Sequence, residues 1–137
     1  MTNEQKTWGT MHIILWIAQV ILAAVLIWAG VMKLFQPADK LVEMWPWTAD
    51  NSGLVILTGI LDLSAAVGLV FPALFRIRPR LTVFAAYGVV ALMMAAGVFH
   101  ILRGEASQIG INICFGIIAV FIAWGRSKKE PIMTRAK

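Results

Sequence analysis

Polar residues are confined to short stretches of this chain, and apolar residues fill four long blocks between them. The blocks run over residues 11–35, 54–75, 81–102 and 108–125. A helix needs roughly 20 apolar residues to cross a bilayer, within a range of about 17–25. Three blocks meet this easily; the strictly apolar run of the fourth, Ile109–Trp124, is short enough to need a locally thinner bilayer or its flanking Ser107 and Gln108. Backbone groups in lipid must be satisfied inside their own element, which selects helices. The pattern therefore predicts an all-α integral membrane four-helix bundle, one domain over residues 1–137. The first block is longer than the 7–15-residue apolar core of a signal peptide and is followed by no convincing cleavage site, so it is expected to stay as a helix.

The longest connection follows the first block: QPADKLVEMWPWTADNSG, residues 36–53. It mixes acids with Leu41, Val42, Met44, Trp45 and Trp47. Tryptophans of this kind favour the headgroup level. The expectation is a short amphipathic segment lying over one end of the bundle. Trp45 and Trp47 then act either as belt anchors or as a lid.

Each block is broken by a polar residue near that same end. Counting 1.5 Å per residue, Lys33 and His100 lie about 3 Å inside their helix ends, Asn112 about 4–5 Å and Asp62 about 12 Å. An unpaired carboxylate in lipid costs at least a few kcal/mol, so Asp62 must be paired, protonated or facing water. Lys33 can reach it from above, directly or through water. Helical phase supports convergence. Gly30, Gly59 and Gly97 precede Lys33, Asp62 and His100 by three positions, and Gly116 follows Asn112 by four. Residues at those spacings share a helix face, and small residues in membranes mark faces of close approach. Lys33, Asp62, His100 and Asn112 thus form the candidate site for ligand binding or proton relay. The competing reading is polar glue that locks the bundle without a ligand. Taken singly, Lys33 fits snorkelling to the interface, and His100 and His12 fit helix-end or interfacial roles.

There is an internal echo. AGVMKLF (29–35) closes the first block and AGVFHIL (96–102) the third, so that Lys33 falls on His100. TGILD (58–62) loosely matches IGIN (109–112). The echo suggests a duplicated helix hairpin with its axis along the membrane normal.

Composition agrees with lipid as the solvent: 60% of the 137 residues are hydrophobic and 14% charged, against about 45–50% and 25% in soluble domains. The net charge of +5 does not read as nucleic-acid binding, because the basic residues cluster at block ends instead of forming a polar stripe. Lys6, Arg76, Arg78, Arg80, Arg126, Lys128, Lys129, Arg135 and Lys137 fall on one side of a four-span topology; Lys33, Lys40 and Arg103 fall on the other. The positive-inside rule places both termini in the cytoplasm. A single cysteine, Cys114, excludes an intrachain disulfide and reads as a small buried hydrophobe. His12 and His100 sit a bilayer apart and cannot jointly ligate one haem. No metal-ligand set of ordinary size, phosphate loop or nucleophile motif is evident.

The stretches AGVMKLFQP and GILDLSAAVGLVFP, with His100 closing the third block, resemble the DoxX-like family of small four-helix membrane proteins. The resemblance covers roughly Trp16 to Gly125. Relatives often carry glutamate where this chain has Asp62, a shorter side chain with a different reach. The family takes its name from a membrane subunit of a thiosulfate:quinone oxidoreductase, and other relatives are implicated in redox protection or membrane-protein assembly. The resemblance implies an inner-membrane protein and an accessory subunit of a redox complex. It would bind a quinone-like lipophilic ligand and work with a redox partner protein, with no cofactor identifiable in the chain itself. The alternative is a non-catalytic assembly or scaffolding module. A small-solute transporter is the least favoured reading, and a channel or carrier would need an oligomer. Whether the chain is enzymatic within a complex stays open.

Overall fold

The computed structural model describes residues 3–129 and 131–133, with side chains described from Gly9 onward except that of Gln108. The side chain of Lys6, and Arg135 and Lys137, counted above for topology, lie outside that set. Five α-helices follow in order: α1 (Asn3–Phe35), α2 (Ala38–Met44), α3 (Ser52–Phe75), α4 (Arg80–Leu102) and α5 (Ile109–Trp124). Short 3₁₀ turns at Pro46–Asp50 and Ala106–Gln108 lead into α3 and α5. Four stretches are long and apolar enough to cross a membrane: Gly9–Phe35, Ser52–Phe75, Arg80–Leu102 and Ile109–Lys129. The last is longer than the sequence suggests, because α5 continues into a π-helical turn, Gly125–Lys129. No local thinning of the bilayer is needed to seat a 21-residue helical path.

Successive long helices run antiparallel. α1 packs mainly on α3 and α4 mainly on α5, so the bundle consists of two hairpins joined along α3 and α4, with α1 touching α5 more lightly. Midway along its length the interior is apolar and built largely of small residues: Ala23, Ala66, Ala86, Ala119 and Ala123, with Leu22, Leu26, Leu69, Val89 and Ile122 between them. Alanine lets backbones approach closely, which is how helices associate where lipid removes most of the hydrophobic drive. The outer faces are the greasy ones, with Ile13, Phe35, Phe84, Met94 and Ile117 among the exposed side chains.

The α3–α4 connection is tight. Only Arg76–Pro79 separates the helices, and Arg76 (φ 55°) and Arg78 (φ 47°) both sit in the left-handed region. Each costs roughly 1–2 kcal/mol relative to an ordinary conformation. The amide of Ile77 bonds the carbonyl of Pro72 at 3.2 Å and closes the end of α3. Pro79 then stands just ahead of α4, where its missing N–H is no loss.

Candidate functional site

The end of the bundle away from the chain termini is roofed by α2 and the Pro46–Asp50 turn. Leu41 is buried beneath α2. The Thr48 hydroxyl donates to the Trp45 carbonyl at 2.8 Å, and the Asn51 amide donates to the Trp47 carbonyl at 2.7 Å. These bonds fix the backbone that carries both tryptophans. Trp45 meets Trp28 edge-on at 5.7 Å, and Trp47 meets Phe99 edge-on at 5.6 Å, so one ring leans on α1 and the other on α4.

Beneath this roof Lys33 and Asp62 form a direct ion pair, Nζ to Oδ2, 2.8 Å long. Asp62 is only 2% exposed. The Lys33 ammonium lies 5.9 Å from the ring centres of both Trp45 and Trp47. The rings cover the cation with their negative faces, in a place where lipid would otherwise meet it. The pair exists because α1 and α3 touch one turn earlier. A Cβ on Gly30 would come within 2.9 Å of the Gly59 carbonyl oxygen and within 2.8 Å of Leu63, and one on Gly59 within 3.2 Å of the Lys33 Cβ. The second hairpin is looser. At Gly97 and Gly116 an added Cβ would find ordinary contacts of 3.9 and 3.7 Å. Gly30→Ala is therefore expected to cost about 1–3 kcal/mol through overpacking, and Gly97→Ala well under that. Unfolding of the two variants in mild detergent measures the difference; equal costs would contradict it.

The other two candidate residues lie elsewhere. His100 turns to its own connection: Nδ1 is 3.4 Å from Glu105 Oε1, and the Glu105 amide bonds the His100 carbonyl at 2.8 Å. Arg103 Nε donates to the same carboxylate oxygen at 2.7 Å. The hydrogen bond from Arg103, then that from His100, holds the Glu105 carboxyl below its ordinary pKa. A depressed carboxyl stabilises the fold above its unfolded pKa and loses that contribution as pH falls through its folded value. Asn112 instead belongs to a groove of about 510 Å³ between α4 and α5, whose floor and walls include Met93, Gly97, Ile109 and Gly116. Its Nδ2 is enclosed and has no hydrogen-bond partner among the described residues. So the four residues resolve into a closed ion pair, a surface triad with Glu105 and Arg103, and a lone amide in a lipid-facing groove. Trp45 and Trp47 cover the first of these.

A second polar cluster, at the terminal end, was not singled out from the sequence. Arg126 is 3% exposed. Its Nε donates to Gln19 Oε1 at 2.6 Å, and its Nη1 lies 3.0 Å from His12 Nδ1. Gln19 Nε2 donates to the Leu69 carbonyl at 2.6 Å, and the Arg126 guanidinium stands 5.6 Å from the Trp16 ring centre. A signal for Gln19 was available: Leu15, Gln19, Leu22 and Leu26 fall at helical spacing on one face, and all are buried. Nothing in the sequence separated Arg126 from the exposed Lys128 and Lys129 beside it.

Four apolar spans, an alanine-rich interior and polar networks turned inward define a small multi-pass helix-bundle membrane protein. The chain belongs to the DoxX-like family, whose family model matches residues 17–122. No match was found among curated proteins, and none among solved structures. The matched region holds the Lys33–Asp62 pair, its roof and Asn112; His12 and Arg126 fall outside it. Among the described residues no three of His, Cys, Asp and Glu come together as a metal-ligand set.

Proposed function

We propose that the protein is an accessory subunit of a membrane redox complex and holds a quinone-like lipophilic ligand. The observation that carries this reading is the α4–α5 groove: an apolar cleft open to lipid with one enclosed amide donor, Asn112 Nδ2, lacking a partner. Small-molecule sites are mostly apolar with a few placed polar groups. A ring carbonyl on an apolar molecule would satisfy the amide and leave the remaining walls in contact with carbon. The chain's part is to bind and orient; electrons would pass to and from a partner protein. The nine-to-three division of basic residues supports an inner-membrane protein with cytoplasmic termini, which puts the Trp45/Trp47 roof on the outer face.

Quinone extracted from protein purified in mild detergent tests the reading. The wild type is expected to carry bound quinone, and Asn112→Leu, which fills the groove and removes the donor, to lose it at least tenfold at unchanged thermal stability. Equal quinone content in both would overturn it. One observation favours a second reading, an assembly or scaffolding module: the Lys33–Asp62 pair is closed upon itself, with its cation already covered by two rings. On that reading Asp62 variants lose stability and nothing else.

A further inference from the structure

A cavity of about 710 Å³ lies at the terminal end of the bundle, far from the roof. It opens between the start of α4 and the end of α5. Arg78 and Arg80 stand at one edge and Arg126 at another, with Pro131–Met133 forming a side wall. Arg78 and Arg80 are exposed and form no ion pair among the described residues. Arg78 is presented by one of the two left-handed residues in the connection. Set among these charges is Thr82, 1% exposed, which lines the cavity and whose hydroxyl has no hydrogen-bond partner among the described residues. A threonine in a helix normally bonds a carbonyl one turn back; this one does not. Buried hydroxyls left unpaired are rare and want an explanation.

The rest of the lining is carbon. Leu81, Val83 and Phe84 are continuous with the lipid-facing side of α4, and Leu81 and Phe84 are themselves exposed. Two exposed guanidinium groups, Arg78 and Arg80, and a hydroxyl at the membrane edge, above an apolar wall that runs down into the bilayer, match one kind of molecule: a phosphate with a chain attached. Arginine is the side chain suited to phosphate oxygens because its planar fork donates two parallel bonds. Basic pockets between membrane helices take lipid head groups of this sort. A free phosphate would use the charges but leave the wall unexplained.

We propose that this cavity is a binding site for an anionic phospholipid, its phosphate held by Arg78, Arg80 and the Thr82 hydroxyl and its chain laid along Leu81 and Phe84. The site is separate from the Asn112 groove and does not depend on any ligand there.

Native mass spectrometry and thermal stability of the delipidated full chain test it, with phosphatidylglycerol, phosphatidylcholine or inorganic phosphate added. Phosphatidylglycerol is expected to bind at one copy per chain and raise Tm, with the other two failing to do so. R78Q/R80Q should lower its occupancy at least tenfold. Thr82→Val, which keeps the shape and removes the hydroxyl, should lower occupancy several-fold while still folding. K128Q/K129Q removes the same charge outside the cavity and should change occupancy less than twofold. Equal losses in the two double variants would reduce the effect to general surface charge and overturn the proposal. So would equal binding of phosphatidylcholine, or equal protection by inorganic phosphate, which would make the site one for a free anion.

Discussion

Asp62→Leu is expected to destabilise the bundle by about 3–5 kcal/mol, while the double variant Lys33→Met/Asp62→Leu returns to within about 1 kcal/mol of the wild type. Removing one member of a buried ion pair strands the other, whereas replacing both with apolar side chains of similar size removes the desolvation cost along with the attraction. The structure adds an asymmetry. Lys33 stands in the last turn of α1, its side chain still 13% exposed, on a stem that can withdraw to the headgroup level. Asp62 sits deeper on a short side chain and is 2% exposed. Lys33→Met is therefore expected to cost more than Asp62→Leu. Unfolding in mild detergent across the four proteins of the cycle gives the coupling. Additive single costs would mean that the 2.8 Å contact contributes nothing specific.

Gln19→Leu is expected to cost about 2–4 kcal/mol and to loosen the end of α5 in particular. Two bonds are lost together, the one to Arg126 Nε and the one to the Leu69 carbonyl. Both lost partners stay buried, and an unmet bond to a buried charge is among the larger single penalties. Gln19→Glu keeps an acceptor for Arg126 and gives up only the donor to Leu69, so it should fall between the wild type and Gln19→Leu. Hydrogen exchange reads the location: amides of Gly125–Lys129 should exchange faster in Gln19→Leu, while those at the middle of α4 stay protected. A uniform rise in exchange would show that the contact holds the whole bundle and not this turn.

The four membrane-crossing helices and the outward-facing grease were legible in the sequence, because lipid leaves few alternatives for a 20-residue apolar block; two ends were not, since α1 begins at Asn3 and the last helical path runs on to Lys129. The approach of Lys33 to Asp62 was legible too, since Gly30 and Gly59 mark one face on each helix. The same glycine rule, applied to the second hairpin, led elsewhere. Gly97 and Gly116 do share their faces with His100 and Asn112, but that contact stays wide enough for a groove. His100 was claimed by a residue five positions on, Glu105, whose place depends on how the chain turns through Gly104 at φ 73°. Spacing gives the face of a helix; it does not say which of several neighbours a side chain near the end will choose. Arg126 shows the same limit. A cation at the close of an apolar run can reach outward to head groups or inward to an amide, and the decision rests on Gln19, 107 positions away.

α1 is held to α3 by side-chain polar bonds at two heights. Gln19 fixes one, and Lys33 the other, 14 residues apart, or about 21 Å of helix. Between those points it packs on alanine and leucine, which recur at each turn, until Gly30 meets Gly59 one turn from Lys33. The helix thus behaves as a ruler with two marks, and its vertical position against α3 is read at the ends alone. An inserted residue between the marks turns one of them by about 100° and lifts it about 1.5 Å, so both cannot be met at once. An insertion ahead of His12 changes neither. Length is constrained along the stretch of α1 between Gln19 and Lys33, the two polar residues that interrupt its apolar run.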